Sequence, residues 1–129
     1  MAVVANLTDS TSAIAVSYEA KKLGINTGTK IFEAKRIYPE LVCIVSKHEE
    51  YIKYHKAIFA EVEKHLQVDK ALSIDEAACR LTGELCNQDN AINIATRIKQ
   101  SIRDNVGEYI ECSIGIAPNC YLAKIASNM

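Results

Sequence analysis

The sequence predicts an α+β fold in two parts: a small α/β unit, then a split βαβ sheet of ferredoxin-like type that lacks its first strand. Three observations lead there. Short apolar, β-branched runs are separated by segments whose apolar residues recur at helical spacing. From residue 48 the order reads helix, strand, strand, helix, strand, helix. The balance of 49% hydrophobic to 24% charged residues is that of a globular chain, and 129 residues hold one compact domain or two small lobes.

AVVA at 2–5 and AIAV at 13–16 are predicted strands around LTDSTS, which has turn chemistry. SYEAKKLG is a short helix capped by Ser17 and stopped at Gly24. Thr27-Gly28-Thr29 is a turn, and KIFEAKRIYP places Ile31, Ala34 and Ile37 at helical spacing before Pro39 ends it. LVCIVS at 41–46 is a buried strand by its continuous apolar character. The helix from His48 to Leu66 sets Tyr51, Ile52, Ile58, Phe59, Val62 and Leu66 largely on one face. KALSI at 70–74 and EAACRL at 76–81 are strands. Residues 89–105 are a helix with Asp89 as cap and Ile92, Ala95, Ile98 and Ile102 inward. YIECSIGIA at 109–117 is a strand, and a last helix starts after Pro118.

Several function classes are disfavoured by composition. The N-terminal stretch has no basic region followed by an apolar core, and nowhere do about 18 apolar residues run together, so no membrane partner and a cytoplasmic location are expected. The five cysteines stand singly, without metal-finger spacing, and read as buried reduced thiols. A formal net charge of −1 gives no global attraction for nucleic acid, so any such contact needs a local site or further segments.

The chemistry concentrates in ALSIDEAACRL at 71–81, where Asp75 and Glu76 interrupt an apolar run. Neighbours inside a regular strand face opposite ways, but at a hairpin junction two adjacent carboxylates can converge. Converging carboxylates repel unless a cation or shared proton offsets them, and magnesium, which prefers oxygen ligands and substrate phosphates, meets that need. The other reading is that both simply turn the hairpin at the surface. Tyr18 and Lys21 are three apart on a helix and close to its N-terminus, where backbone N–H groups favour phosphate. Taken alone, Tyr18 reads as a core residue and Lys21 as a solvated charge. Lys124 reads as structural packing beside Leu122 and Ile125, Ser73 as a strand residue, and the pairs His48/His55 and Tyr51/Tyr54 carry no assigned chemistry.

S-I-D-E-A at 73–77, C-S-I-G-I-A at 112–117, L-A-K-I-A-S at 122–127 and S-Y-E-A-K-K-L-G-I at 17–25 together resemble the Y-family (translesion, UmuC/DinB-like) DNA polymerases, with Glu33-Ala34 and Pro39 in register. The blocks keep the family's order and spacing over nearly the whole chain. The resemblance implies a right-hand polymerase with a partial fingers subdomain at 1–47 and a partial palm at 48–129. It implies template-directed DNA synthesis across damaged DNA, with primer-template DNA and a deoxynucleoside triphosphate (dNTP) as partners, a sliding clamp reached through other segments, and two Mg2+ ions on palm carboxylates. Asp75 and Glu76 would then be catalytic metal ligands, and Tyr18 and Lys21 would contact the incoming triphosphate. The family more commonly has Arg at position 21; Lys keeps the charge and loses the bidentate fork. Ser10, Thr11, Ser12 and Ala13 would roof the nascent base pair, small enough to admit a distorted template base.

Against the family pattern, no first palm strand with its additional metal-binding Asp and aromatic steric gate precedes AVVAN, and no Lys-Pro segment, thumb or little-finger domain follows Met129. The segment is therefore expected to be a fragment, inactive by itself, with an open sheet edge that invites dimerisation. Two alternatives stand beside this reading: a catalytically silent DNA-repair accessory of the same fold, and an unrelated ferredoxin-like nucleotide-binding or metal-binding module.

Overall fold

In the computed structural model, which describes residues 1–129, Ala2–Val4 (β1) pairs antiparallel with Ala13–Val16 (β2) and parallel with Cys43–Val45 (β3), giving the sheet order β2-β1-β3. A parallel pair needs a crossover, and Tyr18–Lys22 (α1) and Ile31–Ile37 (α2) lie within it. Alternation along the strands turns Ala2, Val4 and Ala13 inward, where they meet Ala20, Ile25, Ile31, Ala34 and Leu41 in one buried cluster. Ile37, expected with that stripe, is 49% exposed because the helix ends at it.

Helix α1 begins and ends as its sequence predicts. The Ser17 side chain accepts from the Ala20 amide. At the other end Gly24 sits at φ +88°, and the Gly24 and Ile25 amides donate back to the Lys21 and Ala20 carbonyls. This double closure needs a left-handed residue after the cap, which glycine supplies without strain, and it drops Ile25 into the core.

The chain divides into two compact units, Met1–His48 and Glu49–Met129. Helix α3 (His48–Glu63) begins at the division and otherwise belongs to the second unit, where Val68–Ala71 (β4) and Ala77–Cys79 (β5) form an antiparallel hairpin, Gln88–Asn105 forms α4 and Cys120–Ser127 forms α5. A 3-10 turn at Gly83–Cys86 precedes α4. The cap of α4 is Asn87, whose side chain accepts from the Asp89 amide, so Asp89 itself lies in the first turn. Ala91, Ile98 and Ile102 are the buried stripe of α4 while Ile92 is on its flank, 48% exposed. On α3, Tyr51 and Ile52 are exposed, contrary to their expected inward position.

The expected strand at 109–117 forms no ladder. It has the alternation of a strand, but a strand also needs a neighbour, and β4 and β5 pair only with each other. At Gly115 its backbone instead lies close against α5. The cysteines are all free, with Cys86 and Cys120 exposed and the other three half-buried, so they are less buried than expected. Burial pushes the Cys79 and Cys112 thiols up, away from ionisation.

Glu61 is the one buried charged side chain. Its carboxylate pairs with Lys64 and accepts from the Ser101 hydroxyl at 2.6 Å and the Asn105 amide at 3.1 Å, tying α3 to α4. The Lys64 ammonium first, then the Ser101 hydroxyl, hold the Glu61 carboxyl at about 2 against burial that pushes it up. A depressed value means the ionised form stabilises the fold: the contribution is complete above pH 4.5 and is lost as the pH falls toward 2. Glu61→Gln is expected to lower the thermal midpoint at neutral pH and to flatten the pH dependence of stability in that window. Equal slopes for the two proteins, followed by circular dichroism, would refute this role.

Candidate functional site

The acidic pair lies in the turn joining β4 to β5. The amides of Leu72 and Ser73 donate to the Glu76 carbonyl at 2.8 and 3.2 Å, closing a tight turn over residues 72–76. The Ser73 hydroxyl donates to Asp75 Oδ1 at 2.7 Å and accepts from the Asp75 amide at 3.4 Å. Ser73 is thus a turn residue that holds Asp75, rather than a strand residue. Asp75 is exposed, and Glu76 is half-buried with its carboxylate paired to Lys124 Nζ on α5. Lys124 therefore does more than pack: its ammonium reaches the acidic turn from a helix 48 residues away. From the other side His55 Nδ1 lies 2.5 Å from the Ile74 carbonyl.

Two carboxylates in one turn supply oxygen donors of the kind magnesium takes. No group of three or more His, Cys, Asp or Glu side chains converges anywhere in the chain. The donor type therefore fits a hard divalent cation, while the donor number fits a site completed by other ligands such as substrate phosphates and water.

In the first unit, Tyr18 is 71% exposed on α1, which removes the core reading for it. Lys21 Nζ lies 5.1 Å from the centre of the Tyr18 ring, so the phenol and the ammonium share one exposed face. The N-terminus of α1 is already occupied: Ser17 caps it and Glu19 lies in its first turn, its carboxyl held below the usual range by a backbone hydrogen bond and by Ser17. The polar groups this helix presents on its exposed face are therefore the Tyr18 hydroxyl and the Lys21 ammonium.

The segment before β2 is fastened along its length. The Phe32 amide donates to the Asp9 carbonyl at 3.0 Å, the Ile31 amide to the Thr11 carbonyl at 2.9 Å, and Lys35 pairs with Asp9 at 2.7 Å. Ser10 is exposed, Thr11 and Ser12 are half-buried, and Ser12 bridges to Lys30. Ala13 belongs to β2 and is 2% exposed, so its methyl group faces the core and the loop proper ends at Ser12.

The mixed α+β arrangement of this chain is similar to that of solved Y-family DNA polymerases over the same region. DinB from Sulfolobus solfataricus matches with a TM-score of 0.86 at 32% identity, over 98% of this chain and 37% of that one. A Y-family chimera of Dbh and Dpo4 matches at 0.88 and 31% identity over 99% and 38%, and an insertion ternary complex of Dbh DNA polymerase at 0.84 and 33% over 98% and 38%. The chain belongs to the impB/mucB/samB family, whose model matches residues 1–128. Among curated relatives, DNA polymerase IV of Pelotomaculum thermopropionicum is 32% identical over 90% of this chain, and that of Saccharolobus solfataricus 34% identical over 94%. The chain spans 28% and 34% of the length of these two relatives. No helix is long and apolar enough to cross a membrane.

Proposed function

We propose that the protein containing this chain is a template-directed DNA polymerase that extends primers across damaged template bases, with nucleotidyl transfer at the acidic turn. The observation that carries the reading is the placement of Asp75 and Glu76 together in one hydrogen-bonded turn, in a chain of this family. In this reading residues 1–47 are fingers and 48–129 are palm, and the division of the chain after His48 supports it. Asp75 and Glu76 hold Mg2+, and a second ion is completed by donors outside these residues. Bound there, magnesium would neutralise phosphate charge and make the primer 3′-hydroxyl a better nucleophile. Lys124 keeps the Glu76 carboxylate in place, and Ser73 does the same for Asp75. Tyr18 and Lys21 bind the triphosphate of the dNTP, and Ser10, Thr11 and Ser12 form the roof over the nascent base pair, with Ala13 anchoring it. A processivity clamp and a second copy pairing at the open edges of the β4 and β5 hairpin complete the partners, in the cytoplasm.

The test is primer extension by the full-length protein with magnesium, on undamaged template and on template carrying an abasic site. Extension past the lesion is expected; no extension on either template would refute the reading and favour a silent repair accessory. Within it, Lys21→Ala is expected to raise the dNTP KM about tenfold, the loss of one charge-assisted contact of ~1.4 kcal/mol, with a smaller change in kcat. An unchanged KM would remove Lys21 from the triphosphate site.

A further inference from the structure

His55 lies on α3 and is half-buried, with its ring tilted on Phe59 four residues along the helix at a centroid distance of 4.2 Å. Its Nδ1 is 2.5 Å from the carbonyl oxygen of Ile74, the residue before Asp75. A carbonyl can only accept, so Nδ1 carries the proton and the tautomer is fixed by the contact. The Ile74 carbonyl and the Asp75 amide belong to one planar trans unit and point in opposite directions. One end of that unit is held by His55 and the other by the Ser73 hydroxyl, at 3.4 Å. Apart from the side-chain pair of Lys124 and Glu76, the remaining hydrogen bonds of the turn are internal to residues 72–76.

We infer that His55 is a positioning residue for the acidic turn: its Nδ1–H holds the Ile74 carbonyl against α3 and thereby sets the direction in which the Asp75 carboxylate leaves the backbone. Phe59 restricts the imidazole to the rotation at which Nδ1 faces the turn. The consequence for metal binding rests on the function proposed above; the effect on the turn itself does not.

Two variants separate the ring from its donor. His55→Phe keeps an aromatic ring on Phe59 and removes the N–H, whereas His55→Asn removes the ring and places an amide N–H close to where Nδ1 was. In the full-length protein, amide exchange at Leu72 and Ser73 is expected to be about tenfold faster in His55→Phe and near the original rate in His55→Asn. Exchange at Ile98 and Ile102 in α4 should not move in either. The affinity of the turn for Mn2+, used as a paramagnetic probe, should fall several-fold in His55→Phe and recover in His55→Asn. Unchanged exchange in His55→Phe, no recovery in His55→Asn, or equal acceleration in α4 would each overturn the assignment. If Asp75→Asn leaves Mn2+ affinity unaltered, the metal reading of the turn fails while the exchange result still decides the role of His55.

Discussion

Replacing Asp75 by Asn and Glu76 by Gln together is expected to reduce primer extension by the full-length protein by roughly 10^3-fold or more, while the protein stays folded. Both changes keep side-chain length and remove only charge. The amide oxygen introduced at position 75 can still accept from the Ser73 hydroxyl, and the backbone bonds that close the turn over residues 72–76 are untouched. The one interaction lost is the pair between Glu76 and Lys124, whose side chains are 41% and 40% exposed. At that exposure its removal costs at most about 1 kcal/mol. Electrostatic stabilisation of the transferring phosphoryl group, by contrast, is worth several kcal/mol, and about 4 kcal/mol corresponds to the expected factor. Extension assays beside circular dichroism make the comparison. Equal extension by the variant would mean that the pair only turns the hairpin, which is the bland alternative its sequence allows.

The largest stability effect is expected at Gly115. A Cβ built there would fall inside van der Waals contact of the Ala123 carbonyl oxygen and the Ser127 amide nitrogen, both backbone atoms of α5. Neither can rotate aside, so Gly115→Leu must push the helix away from residues 109–117 at a cost of roughly 3 kcal/mol. Gly107 is the internal comparison, since a Cβ there meets only the flexible Ile110 side chain at 3.1 Å. Gly107→Ala should therefore cost less than about 1 kcal/mol. Urea midpoints of the two variants give the ranking, and a Gly115→Leu protein as stable as Gly107→Ala would contradict the close approach.

Local signals are legible in this sequence and distant ones are not. The Ser17 cap and the closure at Gly24 each depend on residues a few positions apart, and each has the structure its neighbours predict, whereas the acidic turn takes in Leu72, Ser73 and Ile74, which the sequence assigns to a strand. Residues 109–117 have the alternation of a strand, yet a ladder depends on a partner that alternation does not report. The cap of α4 lies two residues before its expected place because Asn87 and Asp89 are both capping types, and geometry alone selects Asn87. The tie from Lys124 to Glu76 spans 48 positions, and its only trace in sequence is a lysine among apolar neighbours on α5. His55 has a comparable faint trace, a ring four residues before Phe59. Exposure of Tyr18 is not legible locally, since the residue taken alone reads as core and only the motif suggests otherwise.

The sheet of the first unit bears on how the protein folds. Its three strands, its two helices and the fastened segment before β2 find their backbone partners within Met1–Ser46, inside the first compact unit. The longest closures are those of the parallel pairing of β1 with β3, from Ala2 with Cys43 to Val4 with Val45. No later part of the chain takes part in any of these pairings, so the backbone frame of this unit does not wait on the acidic hairpin. The proposed nucleotide-gripping face of α1 would then take shape independently of the proposed catalytic carboxylates.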